Sequence, residues 1–150
     1  MHAVNIRWLT AFFALALLAA PAAAEPGAVV GVWATEEEKS HVEIYACGEE
    51  QLCGRIIWLK EPLNEDGTEK LDINNEDPAL NDRPIVGLEI MTGFVESGEH
   101  KWKKGHIYDP ENGKLYKCKM ELTDAGTLKV RGFIGISLLG RTAIWTRVAE

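Results

Sequence analysis

The chain has 150 residues, with 16 Lys and Arg against 23 Asp and Glu, which gives a formal net charge of −7 at pH 7. A surplus of acid argues against a nucleic-acid-binding protein, because neutralising phosphates requires a basic surface. The same surplus argues against adsorption to anionic lipid head groups.

The first 24 residues have the pattern of a secretory signal peptide. Arg7 supplies a positive charge, residues 8–20 are apolar and uncharged, and residues 22–24 are the small residues that a signal peptidase recognises. A thirteen-residue apolar run is short for a membrane anchor, since spanning a bilayer takes roughly 20 apolar residues. We therefore predict cleavage after Ala24, no stable membrane anchor afterwards, and one exported domain of residues 25–150.

Export would place the three cysteines where disulfides persist. Cys47 and Cys53 flank five residues and can meet across a hairpin, so we predict that they form a disulfide. A metal site is the alternative, but no Cys-x-x-Cys or His-x-x-x-His spacing supports it. The remaining Cys118 falls on an apolar strand face and is predicted to be a buried, unreactive thiol.

Seven or eight short strands with turn signals between neighbours are predicted after the signal peptide. A sequence of hairpins favours an antiparallel meander, and we expect it to close into a barrel of about eight strands, because closure removes exposed edges. A β-sandwich is the alternative. The expected strands cover residues 28–34, 40–47, 53–59, 85–94, 102–109, 114–122, 128–132 and 141–148.

In the first hairpin we expect Cys47 to lie opposite Cys53. This register places Val42 opposite Trp58, on a wholly apolar face that points to the core. In the strand of residues 85–94, the inward side chains are expected to be Val86, Leu88 and Ile90.

The central hairpin is joined by residues 110–113, whose Pro-Glu-Asn-Gly sequence is typical of a four-residue turn. We expect Asp109 to pair with Lys114. On the core face, the pairs that follow are Ile107 with Tyr116, Gly105 with Cys118 and Lys103 with Met120. On the outer face, they are Tyr108 with Leu115, His106 with Lys117 and Trp102 with Glu121.

Residues 60–83 form a long polar connection, and loops of this length are usually functional or mobile. Asp72, Asn74 and Glu76 have the alternate oxygen spacing of a calcium loop, but the required glycine is absent and Arg83 replaces the closing glutamate. The alternative is that these side chains cap turns, as Asp77 would do ahead of Pro78. The loop candidates are Asp72, Asn74, Asp77 and Arg83, and no metal site is assigned.

Acid–base chemistry would need convergent groups, and His106 with Asp109 is the first candidate pair. His106 and Tyr108 share the predicted outer face, which favours cross-strand pairing over catalysis. The same reasoning applies to His41 and Glu43. No nucleophile, metalloprotease, phosphate-loop or dinucleotide motif is present, so no catalytic residue and no cofactor are assigned.

Two short stretches resemble the closure of lipocalin-like barrels, in which a tryptophan of the first strand packs under a basic side chain of the last. They are GVW at residues 31–33 and WTR at residues 145–147. The resemblance assigns barrel closure to Gly31, Trp33, Trp145 and Arg147. A guanidinium stacked on an indole is a favourable cation–π contact.

Four longer blocks extend the resemblance over nearly the whole predicted mature chain. They are similar to a bacterial secreted family, domain-of-unknown-function family 2147. The resemblance implies a small lipocalin-like barrel in the bacterial periplasm or outside the cell, and it implies no activity. The blocks are CGEEQLCGRIIWL, LDINNEDPALNDRPIVGLEIM, WKKGHIYDPENGKLYKCKMEL and LKVRGFIGISLLGRTAIWTR.

An eight-stranded barrel is either filled by its own side chains or holds one small ligand. We interpret the chain as a monomeric binding or accessory domain for an apolar or amphipathic ligand, or for an envelope protein. An acid–base enzyme working at the barrel mouth and a structural envelope or stress protein are the alternatives. The residues expected to contact a ligand are Trp33, Trp58, Tyr116 and Met120.

Overall fold

The computed structural model describes residues 26–149, which form a closed antiparallel β-barrel of eight strands. Each strand pairs with its neighbours in sequence, and the last strand returns to pair with the first. The closure confirms the predicted barrel and excludes the sandwich. The signal peptide predicted for residues 1–24 lies outside the described residues. The strands are β1 Gly31–Ala34, β2 Ser40–Gly48, β3 Gln51–Leu59, β4 Glu89–Gly98, β5 Lys101–Asp109, β6 Lys114–Asp124, β7 Thr127–Phe133 and β8 Arg141–Arg147.

The helical content of the described residues consists of short 3-10 turns at Pro26–Val29, Glu36–Glu38, Pro78–Leu80 and Ser137–Leu139. None of the helices in this part of the chain has the length and apolar character needed to cross a membrane. The first turn takes up part of the segment predicted as a strand over residues 28–34, so β1 has only four residues.

Alternating side chains of the strands fill the barrel interior, as period-two patterning requires. Trp33, Phe94 and Leu128 are fully buried there. A side chain at Gly105 would begin 2.5 Å from the Phe94 ring, so the glycine makes room for that ring. The core cluster is Val29, Trp33, Val42, Ile44, Leu52, Ile56, Ile85, Leu88, Ile90, Met91, Phe94, Trp102, Cys118, Met120, Leu122, Leu128, Val130 and Trp145.

The first hairpin has a different register from the predicted one. Tyr45, and not Cys47, lies opposite Cys53, because an irregularity between Ala46 and Gly48 displaces Cys47 from the ladder. The displacement is two residues, so Val42 keeps its inward orientation. The disulfide forms nevertheless, with Cα atoms 5.6 Å apart, a separation typical of disulfides.

A second irregularity in this hairpin reverses the predicted orientation of one tryptophan. The register shifts between His41 and Val42, so Trp58 pairs with His41 and not with Val42. Trp58 is therefore 42% exposed and stacks on the His41 ring at 4.4 Å between ring centroids. The prediction that Trp58 faces the interior was wrong.

The central hairpin follows the predicted register near its turn and departs from it further down. Asp109 pairs with Lys114, as expected. A bulge between Trp102 and Gly105 then moves Trp102 opposite Met120, a position predicted for Lys103. Trp102 is therefore buried, and its predicted place on the outer face was wrong.

The strand predicted over residues 85–94 begins later, at Glu89. Leu88 and Ile90 are buried as expected, but Val86 is exposed. The chain turns at Gly87, whose φ of +94° is readily adopted by glycine. This turn gives Val86 a different orientation from the strand that follows.

Candidate functional site

The two ends of the barrel differ in how completely they are closed. The chain segment before β1 and the turns after β2, β4 and β6 lie at one end, which we call the closed end. The connections that follow β1, β3, β5 and β7 lie at the other, which we call the open end. These names reflect the burial of the inward side chains at each end.

Arg147 seals the closed end. Its guanidinium carbon lies 4.2 Å from the centroid of the Trp33 ring. Its nitrogens donate to the carbonyl oxygens of Ala28, Val30 and Ala125, which ties the segment before β1 to the turn after β6. A side chain at Gly31 would begin 2.8 Å from this guanidinium, so glycine there leaves space for the arginine.

A cavity of about 540 Å³ lies outside this seal, between the segment before β1 and the neighbouring turns. Its wall includes Leu122, Ala125 and His100. The Arg147 guanidinium also borders it, and backbone carbonyls accept three of its five N–H groups. Thr123 and Asp124 in its wall bond neighbouring backbone, whereas His100 Nδ1 is buried without a hydrogen-bond partner in the described residues.

Burial of the inward side chains decreases towards the open end. Along β6 the inward residues change from fully buried Met120 and Cys118 to half-buried Tyr116. Along β8 they change from buried Trp145 to an exposed Arg141. On the β6 and β8 side, the inner wall of the barrel is therefore accessible to solvent at this end, whereas Ile85 and Leu88 of the β3–β4 connection are buried.

The β7–β8 connection carries large aliphatic side chains into solvent. Leu138 and Leu139 are 83% and 79% exposed, and Ile134 and Ile136 are also exposed. We call these four residues the apolar loop. Large exposed apolar groups clustered at one place are characteristic of binding surfaces.

Arg131 holds the apolar loop in place. Its side chain donates to the carbonyl oxygens of Ser137 and Leu138, at 2.9 and 3.1 Å, and to the Thr142 hydroxyl at 2.7 Å. A side chain at Gly140 would begin 2.5 Å from a backbone oxygen, so the connection is also tightly packed. The leucines are thus presented by a backbone that is already ordered.

The seam between β1 and β8 is short, and a side chain completes it at the open end. In the described residues β1 pairs only with the last part of β8, at Arg147 and Thr146. Further up, the Glu36 carboxylate accepts the Ile144 N–H at 3.3 Å and the Arg141 guanidinium at 3.0 Å. Next to the apolar loop, the Glu36 carboxylate therefore supplies the hydrogen-bond acceptor for β8 that the β1 backbone supplies elsewhere in the seam.

The long loop is anchored by a buried carboxylate that the sequence marked only as a loop candidate. Asp72 is fully buried and accepts the Tyr108 hydroxyl at 2.6 Å. It also accepts Arg83 at 2.7 Å and Asn75 at 2.9 Å. These contacts attach the loop to β5.

This network shifts two pKa values in opposite directions. Burial raises the pKa of Asp72, but hydrogen bonds from Tyr108, Arg83 and Asn75 outweigh it and hold the pKa below its usual value. Burial, followed by the hydrogen bond to Asp72, raises the pKa of Tyr108 to about 12. Asp72 is therefore a carboxylate and Tyr108 a neutral donor at neutral pH.

The loop candidates Asn74 and Asp77 form hydrogen bonds that hold nearby backbone in place. The Asn74 amide donates to the carbonyl oxygens of Pro110 and Glu111 in the β5–β6 turn. This contact requires glycine at position 113, where a side chain would begin 1.8 Å from the Asn74 carbonyl oxygen. Asp77 accepts the Ala79 N–H and caps the turn that follows. In the described residues, no group of three or more His, Cys, Asp and Glu is placed to hold a metal ion.

The residues predicted to contact a ligand do not come together. Trp33 is fully buried under Arg147 and donates to the Val29 carbonyl, and Met120 is packed in the core. Trp58 lies on the outside. Tyr116 is the member of this set at the open end, where its hydroxyl accepts the Asn112 amide at 3.0 Å.

The acid–base candidates also lie apart. His106 is exposed opposite Lys117, whereas the Asp109 carboxylate accepts hydrogen bonds from Glu111 and Asn112 within the turn. Glu43 forms an ion pair with Arg55 at 2.7 Å. Cys118 is buried, and burial raises the pKa of its thiol to about 12, so it is a poor nucleophile.

The residues that shape the open end were not singled out by sequence. Arg131 lies in the strand predicted over residues 128–132, and the apolar loop lies in the connection to the next predicted strand, to which the sequence assigned no role. The run Phe133 to Leu139 contains five large apolar residues and no charge, and this apolar character in a glycine-broken connection was the available signal. The role of Glu36 depends on a contact across 108 residues of chain.

Comparison with solved structures supports the fold. The barrel resembles protein HP1028 from the human pathogen Helicobacter pylori, which is described as belonging to the lipocalin family. The TM-score is 0.69 at 23% identity, and the match covers 81% of this chain and 83% of that one. No curated protein matches this chain. A family model described as an uncharacterized protein conserved in bacteria, DUF2147, matches residues 31–147, and the chain therefore belongs to the DUF2147 family.

Proposed function

We propose that the protein is a small-molecule-binding barrel that takes an apolar or amphipathic ligand at its open end. One observation carries this proposal: the apolar loop stands in solvent beside an inner wall that is only half-buried. Eight-stranded barrels have the size at which one small ligand can be held. The ligand would lie between this loop and the upper inner wall.

The lower half of the barrel limits the depth of such a site. Trp33, Phe94 and Leu128 leave no solvent exposure there, so a ligand would remain near the mouth. Ile107, Tyr116 and Ala143 are the half-buried residues available to contact it. The Tyr116 hydroxyl is the polar group that could orient an amphipathic molecule.

We further propose that the protein acts as an exported monomer, in the periplasm or outside a bacterial cell. The N-terminal signal pattern and the Cys47–Cys53 disulfide support this location. The acid–base alternative receives no support from geometry, because His106 and Asp109 engage different neighbours.

The test is a fluorescence titration with N-phenyl-1-naphthylamine, an uncharged apolar probe that brightens in apolar surroundings. We expect saturable binding by the wild type. Ile107→Glu places a charge on the inner wall and should weaken binding at least about tenfold, since a buried unpaired carboxylate is strongly unfavourable. Leu115→Glu, near the same turn but on the outer face, is the matched control and should change the affinity less than about twofold.

Thermal melting of both variants shows whether they remain folded. If Ile107→Glu does not fold, Ala143→Gln provides a second test with an uncharged side chain in the same mouth. Probe binding that is unchanged in a folded inner-wall variant would contradict the proposal. So would the absence of saturable binding to the wild type.

A further inference from the structure

The acidic net charge of the chain conceals a strong separation of charge. Residues 26–100 contain 17 acidic and five basic side chains. Residues 101–149 contain four acidic and ten basic side chains, so the part of the chain that forms β5 to β8 is basic. A partner that meets only these strands encounters positive charge, whatever the total charge of the molecule.

Part of this basic charge lies on the outside of β5, β6 and β7. Lys117 and Lys119 alternate with buried Cys118 and Met120, so their side chains point outward. Lys129, on the neighbouring strand, is also exposed. We call Lys104, Lys117, Lys119 and Lys129 the basic face.

The lysines of the basic face have no carboxylate partner. Within residues 26–149, none of their ammonium groups lies within 4.0 Å of a carboxylate, whereas Lys101 on the same sheet pairs with Glu121 at 3.4 Å. Four cations without ion-pair partners on adjacent strands are available to an anionic partner.

The basic face and the apolar loop adjoin. Phe133 lies opposite Lys117 and immediately precedes Ile134, the first residue of the loop. Phe133, Lys117 and Lys104 border one hollow of about 190 Å³ on the outer surface. Arg131 pairs with Lys119 in the ladder and holds the loop backbone. The lysines and the aliphatic side chains thus belong to one continuous surface.

We propose that this surface docks the protein onto an anionic lipid bilayer, with the apolar loop in the interface and the basic face against the head groups. A bilayer offers both chemistries at once, since its hydrocarbon accepts aliphatic side chains and its anionic head groups accept lysines. The acidic remainder of the molecule would be repelled by the same head groups, which fixes the orientation. The outer wall of β5 to β7 then faces the membrane, and the open end of the barrel lies at the edge of the contact.

The expectation from net charge, that the protein avoids anionic lipid, is thereby reversed for one side of the molecule. An acidic protein can still bind anionic lipid through its basic face, because salt screens charges and at physiological salt a charge acts over only about 8 Å. The carboxylates on the opposite wall have little influence at the basic face.

The test is co-sedimentation of the folded protein with vesicles at neutral pH. We expect binding to vesicles of equal parts phosphatidylglycerol and phosphatidylcholine, little binding to pure phosphatidylcholine, and loss of binding as salt is raised. No binding to the anionic vesicles would overturn the proposal. Equal binding to both kinds of vesicle would also overturn it.

Two double variants, each with a control, separate the contribution of the basic face to vesicle binding from that of the apolar loop. The double variant Lys117→Gln and Lys119→Gln should lower the partition coefficient about 30-fold, corresponding to about 1 kcal/mol for each lysine near the surface. The control, Lys39→Gln with Lys60→Gln, removes the same charge from exposed positions outside the basic face and should change it about twofold or less.

For the loop, Leu138→Ser with Leu139→Ser should weaken partitioning about tenfold or more, because each leucine loses its transfer into the interface. Leu63→Ser with Ile57→Ser removes two exposed aliphatic side chains on the β3 side of the barrel and is the control. If a test variant and its control lose equal amounts of vesicle binding, the docking surface is assigned to the wrong residues.

Membrane docking and ligand binding can fail independently. The variant Ile107→Glu, which tests the proposed ligand site, lies on the inner wall and should leave vesicle binding unchanged. The basic-face variant should leave N-phenyl-1-naphthylamine binding unchanged. Loss of only one activity identifies which of the two proposals is wrong.

Discussion

At the scale of single residues, Asp72 is the most constrained polar group in the described chain. Its carboxylate is withdrawn from water and depends on Tyr108, Arg83 and Asn75 for compensation. Hydrogen bonds to a charged group are stronger than those between neutral groups, but the buried charge is costly if they are lost. The attachment of the long loop to Tyr108 of β5 therefore depends on this side chain.

We expect Asp72→Asn to lower the free energy of unfolding at neutral pH by about 2–3 kcal/mol, because an amide cannot accept the same three donors. Urea denaturation measures the change. Because the folded-state pKa of Asp72 is lowered, its stabilisation is present above the ordinary pKa of about 3.9 and is lost as pH falls through the folded value. The difference between wild type and variant should therefore shrink in acid.

Glu76→Gln, at an exposed position in the same loop, is the matched control and should change stability by less than about 0.5 kcal/mol. Two results would contradict the role assigned to Asp72. One is a neutral-pH stability equal to that of the wild type, and the other is a difference that grows as the pH falls.

The partners of Asp72 show what residue patterns can and cannot predict. Composition identifies the polar loop that carries Asp72, and Arg83 belongs to the same set of loop candidates. The strand pattern predicts that Tyr108 pairs with Leu115, and the backbone pairing confirms this. Its hydroxyl, however, bonds a carboxylate 36 residues away. Strand periodicity orients a side chain but does not identify which loop will fold against it.

At the scale of elements, bulges decide which faces the strands present. The pattern of residues 102–122 predicted the hairpin, its turn and the pairs nearest the turn, because a short turn and an apolar face fix the register locally. Beyond the bulge between Trp102 and Gly105 the prediction was wrong by one residue. Lys-Lys-Gly carries no clear bulge signal, so burial of Trp102 could not be derived from periodicity.

The bulge places Lys104 at a φ of +62°, which is unfavourable for a residue with a Cβ. We expect Lys104→Gly to raise the free energy of unfolding by about 0.5–1 kcal/mol, since glycine adopts this conformation without that cost. Lys103→Gly is the matched control, because Lys103 lies in the same strand without a positive φ. It should lower stability by a similar amount.

Urea denaturation of the two variants provides the comparison. Equal effects of the same sign would show that glycine acts on the unfolded chain alone, and the strain assigned to Lys104 would then be wrong. Opposite signs are expected from the backbone conformation.

At the scale of the whole molecule, the two ends of the barrel differ in how their side chains are used. The closed end is joined by Arg147, which connects the segment before β1, the turn after β6 and the buried Trp33. The open end leaves apolar side chains in solvent and uses Arg131 and Glu36 to hold its backbone. One end closes the fold, and the other presents a surface.

This difference predicts that substitution of Arg147 destabilises the whole barrel, whereas substitution of Arg131 affects only the neighbouring loop. Arg147→Lys keeps the charge but loses the planar donors that reach three carbonyl groups, so we expect a loss of about 2–4 kcal/mol in the free energy of unfolding. Because β1 and β8 share only two paired positions, weakening this seam should lower the unfolding temperature of the whole barrel.

Arg131→Lys is the matched substitution at the open end, and its effect should remain local. Hydrogen exchange should accelerate in residues 134–140, while the free energy of global unfolding changes by less than about 1 kcal/mol, because the core below the loop does not depend on these contacts. Two results would contradict this difference between the ends. One is faster hydrogen exchange throughout the strands of Arg131→Lys, and the other is faster exchange in Arg147→Lys that is confined to the closed end. The expected pattern is that the barrel depends on its closed end for stability, which leaves the open end free to expose the apolar side chains of the proposed binding surface.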